Sequence, residues 1–248
     1  MKVFKLAVVL LSGFAAVTVA EDGVDEEEVP EALTHYLGRE IAQTMHWKGA
    51  GWLLRATRER EENAELMLKE LKLEEGMVVC DMGSGNGYHS LKMAKTVGEK
   101  GKIVAVDAQP EMLEMLKVRA KAEGIENVET VRGAFHDPRL EDRKFDLMLM
   151  VDVYHEFSYP VEMLAKMRAA LKPDGVVVLV EYRGEDDWVP IKKLHKMTKA
   201  QVDKEMVANG FKRVRSFEGL PWQHLLFYGL GEPAEAEVET GGSEPEGE

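Results

Sequence analysis

The chain has 248 residues, 45% of them apolar, a formal charge of −13 and a single cysteine. That length and apolar share suit one large α/β domain with short extensions, and one cysteine excludes an internal disulfide. The acidity lies at the ends: residues 21–31 and 232–248 carry seven acids each and no base, leaving 31 acids against 30 bases between them. A near-neutral body with acidic ends lacks the basic footprint that phosphate backbones require, so nucleic acid is not an expected partner.

Residues 1–20 read as a secretory signal, with Lys2 and Lys5 as the basic start, Leu6–Val17 as the apolar centre and Thr18-Val-Ala20 as the cleavage site. The apolar run is short for a membrane span, so the expectation is export with no stable span after processing; the alternative is an uncleaved anchor. An acidic linker fills 21–31, and a helical extension is expected over 32–70. Within it, Arg55/Glu59 and Arg58/Glu62 have the i,i+4 spacing of a solvated helix face. The Gly-interrupted, Trp-rich run Met45-His-Trp-Lys-Gly-Ala-Gly-Trp52 suits a lid that shields a reaction from water, with His46, Trp47 and Arg55 toward a substrate.

The main domain is expected over 71–231 and begins with Val78-Val-Cys-Asp-Met-Gly-Ser-Gly-Asn-Gly-Tyr88. This reads as a strand ending in Asp81 and a tight turn with glycines at 83, 85 and 87, where a Cβ would block positive φ angles and close approach of a ligand. Cys80 lies inside that strand as a small buried hydrophobe. The helix that follows points free N–H groups at the same spot. The spacing is neither the dinucleotide G-x-G-x-x-G nor a phosphate loop. Lys102–Asp107 is a second buried strand whose terminal acid is placed to accept ribose hydroxyls. Pro110 opens a helix with the stripe Met112, Leu113, Leu116 and Ala120. Strands follow at Val128–Gly133, at Phe145–Asp152 and at Val176–Val180, the last after Leu171-Lys-Pro-Asp-Gly175. The tail 232–248 has too little apolar surface to order itself.

The Asp81/glycine turn, the acid at 107, the phrase Phe145-Asp-Leu followed by Val153-Tyr-His155, and Leu171-Lys-Pro-Asp-Gly175 before an apolar strand together resemble class I S-adenosylmethionine (AdoMet)-dependent methyltransferases of the small-molecule type. The resemblance spans about 70–230. It implies an α/β, Rossmann-like, doubly wound sheet of seven strands in the order 3-2-1-4-5-7-6, strand 7 antiparallel, with AdoMet as cofactor and a small-molecule methyl acceptor. Cofactor contacts are expected from Asp81, Gly83, Ser84, Gly85, Gly87, Asp107, Ala108, Asp152 and Asp137. The last stands in Gly133-Ala-Phe-His-Asp137, which departs from the family's usual G-D-A.

Tyr154 and His155, at the tip of strand 4, are candidates for a base or for orienting the acceptor. The alternative for His155 is capping or packing under the bound cofactor. Glu181, Trp222 and His224 are further candidates for the acceptor side, the last two on the turn joining strands 6 and 7. The seven histidines show no H-x-x-x-H spacing and no Cys/His cluster, so no metal is expected. The alternatives to an acceptor-methylating enzyme are an exported AdoMet-binding or sensing protein without turnover and a protein methyltransferase.

Overall fold

Strand β4 (Phe145–Val151) sits in the middle of the molecule and sets its two layers. Its Met148 and Met150 point into one apolar cluster, and Leu147 and Leu149 into another on the opposite face. This is the period of two of a strand covered on both sides. The structure, a computed structural model, describes residues 29–232 apart from residue 142. The signal-like segment 1–20, most of the acidic linker and the tail from 233 onward lie outside the described residues.

Around β4 lie β1 (Val78–Met82), β2 (Lys102–Asp107), β3 (Val128–Arg132), β5 (Leu171–Arg183), β6 (Phe211–Phe217) and β7 (Gln223–Leu230). The order is 3-2-1-4-5-7-6, with β7 antiparallel to both neighbours and the other pairs parallel. This is the Rossmann-like sheet expected, with one addition. Lys196–Met197 pairs in parallel with Tyr182 and Arg183, where β5 runs past the end of β4 at Val151. β5 is thus longer than its apolar run, and its tip carries Glu181, Tyr182 and Arg183 beyond the sheet centre.

One face is covered by α2 (Ala64–Leu71) and α3 (Tyr88–Val97), the other by α5 (Pro160–Ala170) and α6 (Lys199–Ala208). α4 (Pro110–Ala122) packs beside α3 through Leu116 and Ala120. Pro110 and Pro160 each occupy a first helical turn, where the missing N–H costs nothing. Thr198 caps α6 by accepting from Gln201 N–H.

The N-terminal extension is only partly helical. Residues His35–Tyr36 and Arg39–Glu40 form a small hairpin, Trp47–Leu54 a tight 3-10 helix, and Arg58–Glu62 the short helix α1. The charges of this segment are not a solvated face. Arg58 and Glu62 are 4% and 2% exposed, because Glu62 also accepts from Tyr182 Oη on β5 and binds Arg55. Arg55 pairs with Glu61 and Glu62, not Glu59. On the other side, Arg39 forms a two-pronged pair with Glu205 of α6 at 2.7 and 2.9 Å, and Glu205 is fully buried.

Truncating one partner of a buried pair strands the other charge, whereas an exposed pair contributes little. Arg39→Ala is expected to destabilise the domain by about 3–5 kcal/mol in urea unfolding. Lys95→Ala, which breaks the exposed pair with Glu123, is expected to stay within about 0.5 kcal/mol. Equal effects would show that Arg39 does not anchor the hairpin.

Candidate active site

The C-terminal ends of β1, β2, β4 and β5 open into a cavity of about 430 Å³, within the size range of small-molecule sites. Residues 44–53 and 190–195 roof it. Its walls are mostly apolar, and its polar groups fall into two groups.

The first group belongs to the glycine turn and the tip of β2. Gly83, Gly85 and Gly87 have φ of 69°, 53° and 81°, and all three also need the space, a Cβ on Gly87 falling 2.6 Å from Leu116. A Cβ on Gly83 would lie 2.4 Å from Val153, and one on Gly85 would lie 2.9 Å from Leu53 of the roof. Gly83 and Ser84 donate to Val106 O, which folds the turn back onto β2. Asp107 accepts from Gly85 N–H at 2.9 Å and from Gln109 N–H at 2.8 Å, one on each oxygen. Each carboxylate oxygen keeps a further acceptor direction. Burial raises the Asp107 pKa. Asp81 lies beneath the turn, 3% exposed, and accepts from Ser90 in the first turn of α3. Burial lifts its carboxyl to about 6, with Asp107 adding to the rise.

The second group belongs to the tips of β4 and β5. Asp152 adopts a left-handed φ of 51°, rare for a residue with a side chain. Its Oδ2 accepts from Gln223 at 2.8 Å, while Oδ1 is buried without a partner among the described residues. Burial, then Glu62 and Glu181, push its pKa well above the ordinary value. Glu181 accepts from Tyr154 N–H at 3.0 Å and from His155 Nδ1 at 2.6 Å, so His155 carries its proton on Nδ1 and directs Nε2 outward. Burial opposes the imidazolium of His155, but Glu181 outweighs it and the pKa is raised. His155 Nε2 meets His195 Nδ1 at 3.0 Å. Glu156, pushed up to about 7 by burial against the pull of His155, lies beside both.

The roof is held by backbone bonds to both groups. Gln109 accepts from Trp47 N–H at 2.7 Å and donates to Met45 O at 2.9 Å. Glu156 accepts from Met45 N–H, and Asn86 donates to Ala50 O.

Of the residues expected from the sequence, Gly83, Gly85, Asp107, Ala108, Asp152 and His155 line the cavity. The others stand back from it. Ser84, Gly87 and Asp81 shape the turn. Tyr154 is fully buried in the core against Phe157, so it is not placed to act as a base. Asp137 binds Lys166 and Arg139 N–H. His46 caps the 3-10 helix by accepting from Lys48 N–H, and Trp47 stacks near it at 5.5 Å. Arg55 lies 3.6 Å from the Trp52 ring. Glu181 supports from behind, Trp222 accepts Arg183 N–H at its carbonyl, and His224 holds Glu185 at 2.7 Å. Met45, Trp52, Leu53 and Ile191 are among the roof residues that face the cavity, and Arg58, Gln109, Glu156, Tyr182, Lys192 and His195 add to its polar lining.

A family model described as a methyltransferase domain matches residues 73–226. The chain belongs to that family, whose class I members depend on AdoMet. A solved AdoMet-dependent methyltransferase from Aquifex aeolicus is 25% identical and superposes with a TM-score of 0.70 over 75% of this chain and 98% of that one. A protein-L-isoaspartate O-methyltransferase of Methanococcus maripaludis is 38% identical over 81 residues, 33% of this chain and 38% of its own length. A demethylmenaquinone methyltransferase of Staphylococcus aureus is 30% identical over 115 residues, 46% of this chain and 47% of its own length. The chain thus spans between about a third and a half of the curated relatives it matches. The cavity of this methyltransferase domain fits AdoMet on its own terms. Asp107 offers acceptors for a diol, the glycines allow close approach, and the buried Asp152 Oδ1, without a partner among the described residues, is left available to a cationic group.

The raised Asp81 carboxyl makes a prediction about pH. Its folded pKa of about 6 exceeds the unfolded value near 3.8, so the folded state holds the proton more tightly and stability falls as pH rises from about 4 to 6. Above pH 6 the cost of the buried charge is complete, at most about 3 kcal/mol for two pKa units. Asp81→Asn is expected to raise the melting temperature of the ligand-free protein at pH 7.5 and to leave it nearly unchanged at pH 4. A variant destabilised equally at both would show that Asp81 is held as a satisfied carboxylate.

Proposed function

We propose that the protein transfers the methyl group of AdoMet to a small-molecule acceptor. The observation that carries this reading is the continuity of one roofed cavity from the glycine turn and Asp107 to the tips of β4 and β5. A small roofed space suits a compact acceptor better than a folded protein surface. When bound, AdoMet supplies an electrophilic methyl group on a sulfonium, so the protein's part is alignment and control of charge and protons. Gly83 and Gly85 would admit the ligand, Asp107 would accept from its ribose hydroxyls, and Asp152 would offer a carboxylate to its positive charge. Asp81 acts through the turn by holding Ser90. The acceptor would lie at His155, Glu156 and His195, with Trp52, Leu53 and Ile191 excluding water from above.

Calorimetry should show AdoMet and S-adenosylhomocysteine binding to the purified protein, and no binding of NAD. An acceptor screen with isotopically labelled methyl should then yield a labelled small molecule; NAD binding without AdoMet binding would overturn the reading. Gln109→Ala removes two bonds to the roof, each about 1 kcal/mol net. We expect AdoMet affinity to fall about tenfold and limited proteolysis within 45–54 to quicken. Unchanged affinity and cleavage would show that the roof is not coupled to the cofactor. Export rests on the signal-like pattern of residues 1–20; mass spectrometry of protein from its native host should find an N-terminus near Glu21, and an intact Lys2 on a protein retained in the cytosol would refute it.

A further inference from the structure

His155, Glu156 and His195 come together only in the folded chain. The first two follow β4, and the third ends the 3-10 turn Lys193–His195 that leads into the two-residue strand on β5. Their facing atoms form a triangle: His155 Nε2 to His195 Nδ1 is 3.0 Å, His155 Nε2 to Glu156 Oε1 is 3.9 Å, and His195 Nδ1 to Glu156 Oε1 is 3.8 Å. Donors bound to a divalent metal at about 2.1 Å stand roughly 3.4 Å apart in a tetrahedron, which these edges bracket. All three residues line the cavity, which leaves the fourth position open toward a ligand.

We propose that His155 Nε2, His195 Nδ1 and Glu156 Oε1 form a binding site for a divalent transition metal. The donor set, two imidazoles and one carboxylate, suits zinc, iron or cobalt over magnesium or calcium, which prefer all-oxygen shells. Glu181 supplies the usual outer support. Its 2.6 Å bond to His155 Nδ1 fixes the ring and leaves the Nε2 lone pair facing the triangle. Without a metal, the 3.0 Å contact between the two imidazoles requires one proton between them; the metal takes the place of that proton. On the reading given above, the open position would hold the oxygen or nitrogen of the methyl acceptor, whose proton would pass to water as the metal stabilised the anion. Glu181 and Asp152 lie close behind the site and favour a cation there, while Lys192 beside His195 and Arg39 on the His155 carbonyl are the positive groups near it. The sequence pattern concealed it because the ligands are 40 residues apart, with only two of them adjacent.

The test uses the full protein without added acceptor. Purified protein stripped with chelator is titrated with Co²⁺ and followed by visible absorption, then with Zn²⁺ by calorimetry; AdoMet binding is measured in parallel. One equivalent of metal and a Co²⁺ band typical of a low-coordinate nitrogen and oxygen site are expected. His195 is partly exposed, and His195→Ala should weaken the metal more than about 100-fold while leaving AdoMet affinity within about threefold. Loss of an outer partner typically weakens a metal 10–100-fold, so Glu181→Gln should fall in that interval. Glu156→Gln should remove the band. AdoMet binding without any metal binding, or metal binding unmoved by His195→Ala, would overturn the proposal and leave Glu181, His155 and His195 as a hydrogen-bonded chain. Metal binding without AdoMet binding would keep the site and refute only the methyl-transfer reading.

Discussion

The cavity depends on one buried carboxylate. Glu181 is fully buried at the tip of β5 and accepts from both the backbone N–H of Tyr154 and the ring of His155. Those two bonds turn the chain sharply after β4, so that Tyr154 goes down into the core while His155 and Glu156 go up into the cavity. They also fix which imidazole nitrogen carries the proton. An amide at 181 would still accept one such bond, but it would present a donor or a neutral oxygen where the His155 ring needs an anion.

Glu181 does not stand alone, and the company it keeps explains the electrostatics of the site. Burial, then Glu62 and Glu181, which lie close to Asp152, disfavour its charge. The fold answers Glu62 with Arg55, Arg58 and Tyr182, and answers Glu181 with His155. Asp152 receives only Gln223, and one of its oxygens has no partner among the described residues. A buried acid left in this condition favours protonation until a cation arrives. The unbalanced charge is therefore at the cavity, not in the supporting layer, which is where a positively charged ligand would restore ionisation.

What the sequence makes legible follows from how local each feature is. The glycine turn, the acid closing β2 and the apolar run Leu147–Val151 of β4 are each encoded within a few residues, and the sheet order came with the family resemblance they carry. The tip of β4 shows the limit. Tyr154 and His155 are neighbours with equal chemical appeal, yet the 3-10 turn after β4 sends them to opposite sides, and nothing in the residue types says which goes where. The charges of 55–62 have helical spacing, so they read as a solvated face; their burial depends on Tyr182 and His89, which reach them from distant parts of the chain. Trp222 and His224 do lie at the correct end of the sheet, but β7 begins at Gln223 and its first residues are spent holding Asp152 and Glu185. His195 carried no local signal, since neither a helical nor a strand period runs through 186–195.

The roof is fastened unequally, and this determines how a ligand enters. Its flanks end in buried charge pairs, Arg39 with Glu205 on one side and Arg58 with Glu62 on the other, and breaking either strands a charge at a cost of about 3–5 kcal/mol. The middle, Met45 to Leu54, is held by hydrogen bonds with Gln109, Glu156 and Asn86 and, at its far end, by Arg58 donating to Leu53 O, the neutral ones each worth about 1 kcal/mol net. Water can replace those bonds as they open, whereas it cannot replace a buried counter-ion without flooding the core. Opening is therefore cheapest over the 3-10 helix, whose bonding is itself weaker than that of an α-helix, with the hairpin and α1 as fixed hinges. Two of the residues that release it, Gln109 and Glu156, also line the cavity. A ligand that reorients either side chain would thus loosen or tighten the cover over itself.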